Sequence, residues 1–247
     1  MRTLWKLTLV QAKLFLREPI GAFFTLAFAP LVLILFGFIY GNDPVPMFGG
    51  RGSMDVSVPA YMSLVIGTAG LMGVPIATSA RREAGSLRRF RATPLRPLTY
   101  LISDVVVYFV MTLLGILILV LVGKGVYNVR FEGNPLSVFA AVCLGTSAFL
   151  ALGYVIAGLA PTARVAQIVG MVIFYPMMFL SGSSMPLETL PAGVRSVSRF
   201  LPLTHVVTLT RGLWIGDGWG QHLTEVGILL GVLVLGVLVS VKTFRWE

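Results

Sequence analysis

The sequence predicts an all-α integral membrane protein. It would have six transmembrane helices, an N-terminal amphipathic interfacial helix, and re-entrant or interfacial outer helices between spans five and six. Three observations carry that expectation. Of 247 residues, 56% are hydrophobic and only 12% charged, with a mean hydropathy of +0.89, a balance ordinary soluble domains do not reach. Six apolar runs approach the roughly 20 residues a helix needs to cross a hydrocarbon core. The basic residues are shared unevenly among the segments that join those runs.

The runs are 20–40, 59–80, 100–123, 136–160, 165–181 and 223–241. The fifth is the shortest and carries Pro176, which lacks a backbone donor and is expected to kink or end the helix. Pro30 and Pro75 interrupt the first two runs similarly. Neighbouring helices must satisfy the carbonyls so released, which favours a packed bundle over isolated spans. In the last run Gly227 and Gly231 stand at the small-x-x-x-small spacing that permits close helix contact. With 27 glycines in the chain, a chance spacing is the competing reading.

Ahead of the first run, "MRTLWKLTLVQAKLFLRE" (1–18) has charges spread along it instead of gathered before an uninterrupted apolar stretch, unlike a secretory signal. At about 100° per residue, Arg2, Lys6, Lys13 and Arg17 share one sector while Leu4, Leu7, Leu14 and Phe15 gather opposite. That is the pattern of a helix lying on an anionic membrane surface.

The charge pattern sets the orientation. With the N-terminus inside, the inner side holds Arg2, Lys6, Lys13, Arg17, the six arginines from Arg81 to Arg96, Arg164, Lys242 and Arg245, against Glu18, Glu83, Asp104 and Glu247. The outer side holds Arg51, Lys124, Arg130, Arg195, Arg199 and Arg211, matched by six carboxylates. The positive-inside rule then places both termini in the cytoplasm. The net charge of +9 is accounted for by this bias and by anionic lipid. No nucleic-acid motif accompanies it, so nucleic acid is not an expected partner. Cys143 stands alone in an apolar run and is read as a small buried hydrophobe.

Two connecting segments are unusual. The cytoplasmic segment 81–97 lies in "SARREAGSLRRFRATPLRP", where a short helix would set Leu87 and Phe90 on one face among arginines before Pro94 and Pro97 stop it. Retention of cations inside is one sufficient reason for the arginines; a docking surface for headgroups or a soluble protein is the other. The second segment, 183–222, is far longer than an ordinary interhelical connection. Its apolar pieces "AGVRSVSRFL" and "LTHVVTLTRGLW" are too short to span. They would enter the outer leaflet as a re-entrant pair or lie on it, with the tryptophans of "GLWIGDGWG" at the headgroup boundary.

Several chemistries find no footing in the sequence. The phosphate-cradling G-x-x-x-x-G-K-[S/T] pattern is missing: Gly123-Lys124 continues with Gly125 and lacks the upstream glycine. Ion-coupled transport needs ionisable groups within the membrane, and Asp104 is nearly the only one. His205 and His222 show no catalytic or metal-ligand spacing. A passive channel remains compatible with composition but would not explain a short cationic helix at 81–97.

These features together resemble the permease subunit of bacterial ATP-binding-cassette type-2 exporters, with daunorubicin-resistance-type drug exporters closest in style. The resemblance covers essentially the whole chain. Its most specific part is "FYPMMFLSGSSMPLETLPAGVRSVSRFLPLTHVVTLTRGLW". It implies that 81–97 carries the coupling helix that docks on the ATPase, the matching residues being Arg81, Arg82, Glu83, Gly85, Leu87 and Phe90, with Glu83 and Gly85 in the family's Glu-x-Gly arrangement. It implies that 1–18 is the connecting helix and that 187–213 forms the extracellular re-entrant helices. The expected partners are two cassette ATPase subunits, a second permease copy as homodimer or related heterodimer, and the lipid bilayer of a bacterial inner membrane. No cofactor is expected on this chain; ATP and Mg would sit on the partner ATPase. The chain itself is not expected to be an enzyme.

Tyr61, Tyr108, Tyr154, Tyr175, Met177, Met178 and Ser181 are candidate lining for a pathway suited to an amphipathic drug or lipid-like substrate, since aromatic and methionine surfaces adapt to varied ligands. Helix packing is the competing role for each. Export of a polysaccharide or lipid-linked glycan is the alternative within the same broad family, and a passive channel or lipid-binding protein the alternative outside it.

Overall fold

A single apolar segment of this length satisfies its backbone in a bilayer by intrahelical hydrogen bonds, and the described apolar runs all form helices. A computed structural model describes residues 2–85, 97–184, 187 and 191–243. The helices are α1 (Arg2–Arg17), α2 (Pro19–Ala22), α3 (Phe28–Tyr40), α4 (Ser53–Thr68), α5 (Val74–Glu83), α6 (Pro97–Tyr127), α7 (Pro135–Leu159), α8 (Ala163–Leu180), α9 (Ala192–Ser198), α10 (Pro202–Trp214) and α11 (Leu223–Thr243). Among the described residues six helical stretches are long and apolar enough to cross a membrane: Phe23–Tyr40, Ser53–Glu83, Thr99–Tyr127, Pro135–Leu159, Ala163–Leu180 and Trp219–Thr243. The expected six-span architecture holds. Its elements end close to the expected limits, except that the second span is longer at both ends.

Pro30 and Pro75 do not break their spans. A π-helical turn, Phe23–Ala27, joins α2 to α3 ahead of Pro30, and a second, Ala69–Gly73, joins α4 to α5 ahead of Pro75. Each proline lacks the donor that would reach the carbonyl four residues back, and in both spans that carbonyl lies in the widened turn, where the bonding pattern is already shifted. Pro176 lies inside α8, which continues to Leu180.

The α4–α5 span is the centre of the fold, 83% of its apolar window being buried, whereas only 11% of the last span's window is covered by the chain. Around the centre stand α3, α6, α7, α8 and α10. Small residues allow the closest approaches. A Cβ on Gly153 of α7 would come within 2.1 Å of the Gly70 carbonyl oxygen, and one on Gly170 of α8 within 2.4 Å of the Leu71 carbonyl oxygen. The central π turn is thus clasped on two sides by glycines. Gly227 and Gly231 meet nothing within 4 Å, so they take no part in packing inside this chain.

One end of the bundle, here called the crown, is tied by Asp55 at the start of α4. Its carboxylate accepts hydrogen bonds from Asn42 Nδ2 (3.1 Å), the Gly52 amide (3.0 Å) and the Arg130 amide (2.9 Å). The Asn42 side chain reciprocates by accepting from the Met54 and Asp55 amides and donating to the Tyr127 carbonyl. These bonds satisfy donors that a helix start leaves open, which is why the span begins at Ser53 and not within the purely apolar run. A two-residue ladder, β1 (Pro44–Val45) with β2 (Arg51–Gly52), closes the 41–52 loop beside it.

The helices between spans five and six also belong to the crown. At about 1.5 Å per residue, the 13-residue α10 reaches about 20 Å, short of a crossing. It is packed among α4, α7 and α11, with Leu203, Val206, Leu209 and Leu213 buried. Thr210 donates to the Pro59 carbonyl. The two tryptophans at and after its end are bonded into the crown. Trp214 is buried and donates to the Arg130 carbonyl, and Trp219 donates to Ser137 Oγ; an indole flanked by unpaired loop groups bonds them in preference to solvent.

Candidate functional site

The opposite end, the base, carries α1, the end of α5, the start of α6 and the α7–α8 junction. Residues 2–17 form a helix that stops where Pro19 disfavours helical geometry in the residue before it. Glu18 sits at that joint, and its carbonyl accepts the Ala22 amide. Lys6, Lys13 and Arg17 of the charged sector of α1 are exposed, as their spacing requires. The apolar side divides: Phe15 turns inward against Tyr108 of α6, ring centroids 5.4 Å apart and nearly perpendicular, while Leu14 is exposed. Gln11, one turn before Phe15, is buried as well. Helix α1 therefore rests on α6 along an 11–15 stripe, leaving Trp5, Leu9, Val10, Leu14 and Leu16 uncovered by the chain.

Arg81 joins these parts. From the last turn of α5 it reaches Asp104 of α6 at 2.5 Å, the Tyr100 hydroxyl at 3.3 Å and Glu18 at 3.8 Å. The other Asp104 oxygen accepts from the Tyr154 hydroxyl of α7 at 2.9 Å. One guanidinium and one carboxylate thus bind four segments, and Asp104 is only 1% exposed. An ion in such surroundings persists only when paired and hydrogen-bonded. Glu18, outside the spans, has its carboxyl pKa raised: burial dominates, the Arg81 charge opposes it and Asp104 adds to it.

Arg82 points to a different neighbour. It donates to the carbonyls of Ala157 and Ala160 at the end of α7, oxygens that a helix C-terminus leaves open and that carry its negative dipole end. Glu83 is exposed. Gly85 adopts φ +67° and its amide donates to the Arg82 carbonyl, a left-handed cap that terminates α5. Leu87 and Phe90 lie outside the described residues.

The candidate lining residues fall into separate groups, Tyr108 with Tyr154 in one buried cluster and Tyr61 with Met177 and Met178 in another. Tyr108 and Tyr154 are buried, the first against Phe15 and Gly73 and the second on Asp104. Tyr61 is buried near the crown; Met177 is buried and Tyr175 exposed on α8. The Met178 carbonyl accepts from Ser183, whose hydroxyl also pairs with that of Ser181 at 3.0 Å. A cavity of about 510 Å³ between α6 and α7 is lined by none of these seven, whereas Tyr61 lines a small recess beside Ser183. Among the described residues no cluster of three His, Cys, Asp or Glu side chains is placed to hold a metal. His205 faces the Arg199 carbonyl, and His222 lies between Asp217 and Glu225.

Sequence reasoning had Arg81, Asp104 and Tyr154 separately but missed their union and missed Glu18. The usable signal was Asp104, a carboxylate in an apolar helix that demands a partner.

Comparison with known proteins places the whole arrangement. The ABC-2 type transporter family matches residues 2–214. Nodulation protein J of Rhizobium leguminosarum bv. viciae is 33% identical over 98 residues, 40% of this chain and 38% of that protein. Inner membrane transport permease YhhJ of Escherichia coli K12 is 28% identical over 153 residues, 60% of this chain and 41% of that protein. Probable multidrug ABC transporter permease YbhR of the same strain is 27% identical over 162 residues, 65% of this chain and 44% of that protein. The chain thus spans about two fifths of the length of the curated relatives it matches.

Proposed function

The chain belongs to the ABC-2 type transporter family, and from that premise we propose that it is the membrane subunit of an ATP-driven exporter whose ATP and Mg are bound by two separate cassette subunits. A second permease copy, identical or related, completes the assembly. The base faces the cytoplasm of a bacterial inner membrane, because the segments that the sequence assigns to its side hold thirteen of the nineteen Lys and Arg residues, whereas the six on the other side are matched by six carboxylates. The substrate class is an amphipathic drug or lipid-like molecule. The spans offer mainly apolar and aromatic surface to it, and one matched relative bears the name of a multidrug permease.

The observation that carries the reading is the Arg81 junction. Segment 81–97, taken as the coupling segment, begins in the last turn of α5 with Arg81, a residue bonded to α6 and Glu18 and, through Asp104, to α7. A push on it by a motor subunit is delivered to the central span and two neighbours together, without being absorbed by a loose joint. Arg82 adds the end of α7 to the same rigid unit. Glu83, exposed and just beyond, is available to the motor.

The test is a mild-detergent pull-down of the tagged chain from its host, with mass spectrometry of the retained proteins and substrate-stimulated ATPase assays. A cassette ATPase is expected to co-purify, and Glu83→Ala should reduce coupled transport while membrane insertion stays normal. Absence of any ATPase under conditions that preserve membrane complexes would overturn the proposal.

A further inference from the structure

The 510 Å³ cavity is a partly open slot between α6 and α7, two of the helices long and apolar enough to cross a membrane. Its floor is Val58 and Met62 of the central span. Its walls are the outer faces of α6 and α7, and Phe131 and Trp214 close its crown end, rings 4.7 Å apart and edge to face. The lining is apolar but for Lys124, at the crown end of α6. Lys124 is exposed and has no ion-pair partner among the described residues.

We propose that this slot is a binding site for one anionic phospholipid of the crown-side leaflet, an acyl chain lying between α6 and α7 and the headgroup phosphate on Lys124. The lining of α6 runs from Val110 to Lys124, about 21 Å of helix, against roughly 15 Å for half of the hydrocarbon core. That length accommodates one chain with its headgroup beyond the core. The volume falls within the range of sites that enclose a small amphiphile. A slot greasy along its length and cationic at the membrane boundary complements a molecule with the reverse pattern, an apolar tail and an anionic head.

The site is preformed. Its end wall is residues 129–131, held by the Arg130 amide on Asp55 and the Arg130 carbonyl on Trp214 Nε1. Binding therefore costs little ordering of the protein. The slot lies apart from the Arg81 junction and does not depend on any motor subunit. A bound lipid would wedge α6 and α7 at the crown while the same two helices are joined through Asp104 and Tyr154 at the base.

Native mass spectrometry of the purified full chain, loaded with dioleoylphosphatidylglycerol or dioleoylphosphatidylcholine, tests the assignment. One phosphatidylglycerol per chain should be retained in preference to phosphatidylcholine. Lys124→Ala should weaken its retention about fivefold, the contribution of one cation near an anionic headgroup, and Lys124→Arg should keep it. Lys242→Ala, at the base, should not change it. Leu117→Trp, on a half-exposed wall position, should block the slot for both lipids. Equal retention of the two lipids, or wild-type retention by Lys124→Ala, would overturn the site. Because Lys124 is exposed, its variants remain informative even where Leu117→Trp folds poorly.

Discussion

Arg81 illustrates why a single residue at the base matters for folding before it matters for function. Its partner Asp104 is almost fully buried, so removing the guanidinium leaves a carboxylate with a tyrosine hydroxyl and no neutralising charge. Losing one member of a buried pair costs roughly 3–5 kcal/mol, whereas removing both charges costs much less. Arg81→Ala should accordingly lower the detergent melting temperature sharply, and Asp104→Asn added to it should recover part of the loss. Additive losses would mean that the two side chains are not energetically coupled. Glu18 gives a separate, pH-dependent readout. Its pKa is raised above 4.5 by burial, so the folded protein takes up its proton at a higher pH than the unfolded chain does. The stability associated with that proton is fully present below 4.5 and is lost as pH rises through the raised value. Between those limits wild type should gain stability relative to Glu18→Gln as the pH is lowered; parallel curves would refute it.

At the scale of elements, the glycine contacts at the central π turn are the most sensitive point. A methyl group at position 153 would sit 2.1 Å from the Gly70 carbonyl oxygen, which is backbone and cannot rotate away, whereas one at 227 or 231 meets nothing. Gly153→Ala must push α7 from the central span, an overpacking cost of roughly 1–3 kcal/mol. Gly227→Ala should leave the melting temperature of the isolated chain unchanged. Similar melting temperatures for both variants would mean the close approach is not maintained. The same contrast shows what the sequence could and could not reveal. Spans were legible because length and hydropathy are local properties, and α1 was legible from its charge periodicity. The inward turn of Phe15 and Gln11 was not, since a helix resting on both lipid and α6 has two apolar faces and periodicity reports only their sum. The π turns were hidden for a related reason: Pro30 and Pro75 announced a disturbed bonding pattern but not whether the helix would end or widen. The Glu18–Arg81–Asp104–Tyr154 junction draws on four segments distant in sequence, so only the isolated buried carboxylate hinted at it. The bonds of Trp214 and Trp219 to Arg130 and Ser137 were not legible, because their partners lie some eighty residues away in sequence.

The whole molecule is a bundle whose two ends differ in kind. The crown is laced by backbone-directed hydrogen bonds around Asp55 and Trp214. The base is laced by side-chain charge pairs and carries a large cationic excess. A membrane retains such an excess on the cytoplasmic side, so the proposed orientation, coupling segment and motor location all stand on one polarity. That polarity can be measured directly, since Cys143 is the only cysteine. In a Cys143→Ser background, Glu83→Cys and Gly193→Cys each place one thiol at an exposed position, the first at the base and the second on α9 at the crown. In intact cells a membrane-impermeant maleimide should label the thiol at 193 and spare the one at 83; in inside-out vesicles the pattern should reverse. Labelling at 83 from outside would invert the bundle and remove segment 81–97 from any cytoplasmic ATPase. The lipid assignment at Lys124 would survive that inversion, because it requires only that the crown lie at a membrane boundary.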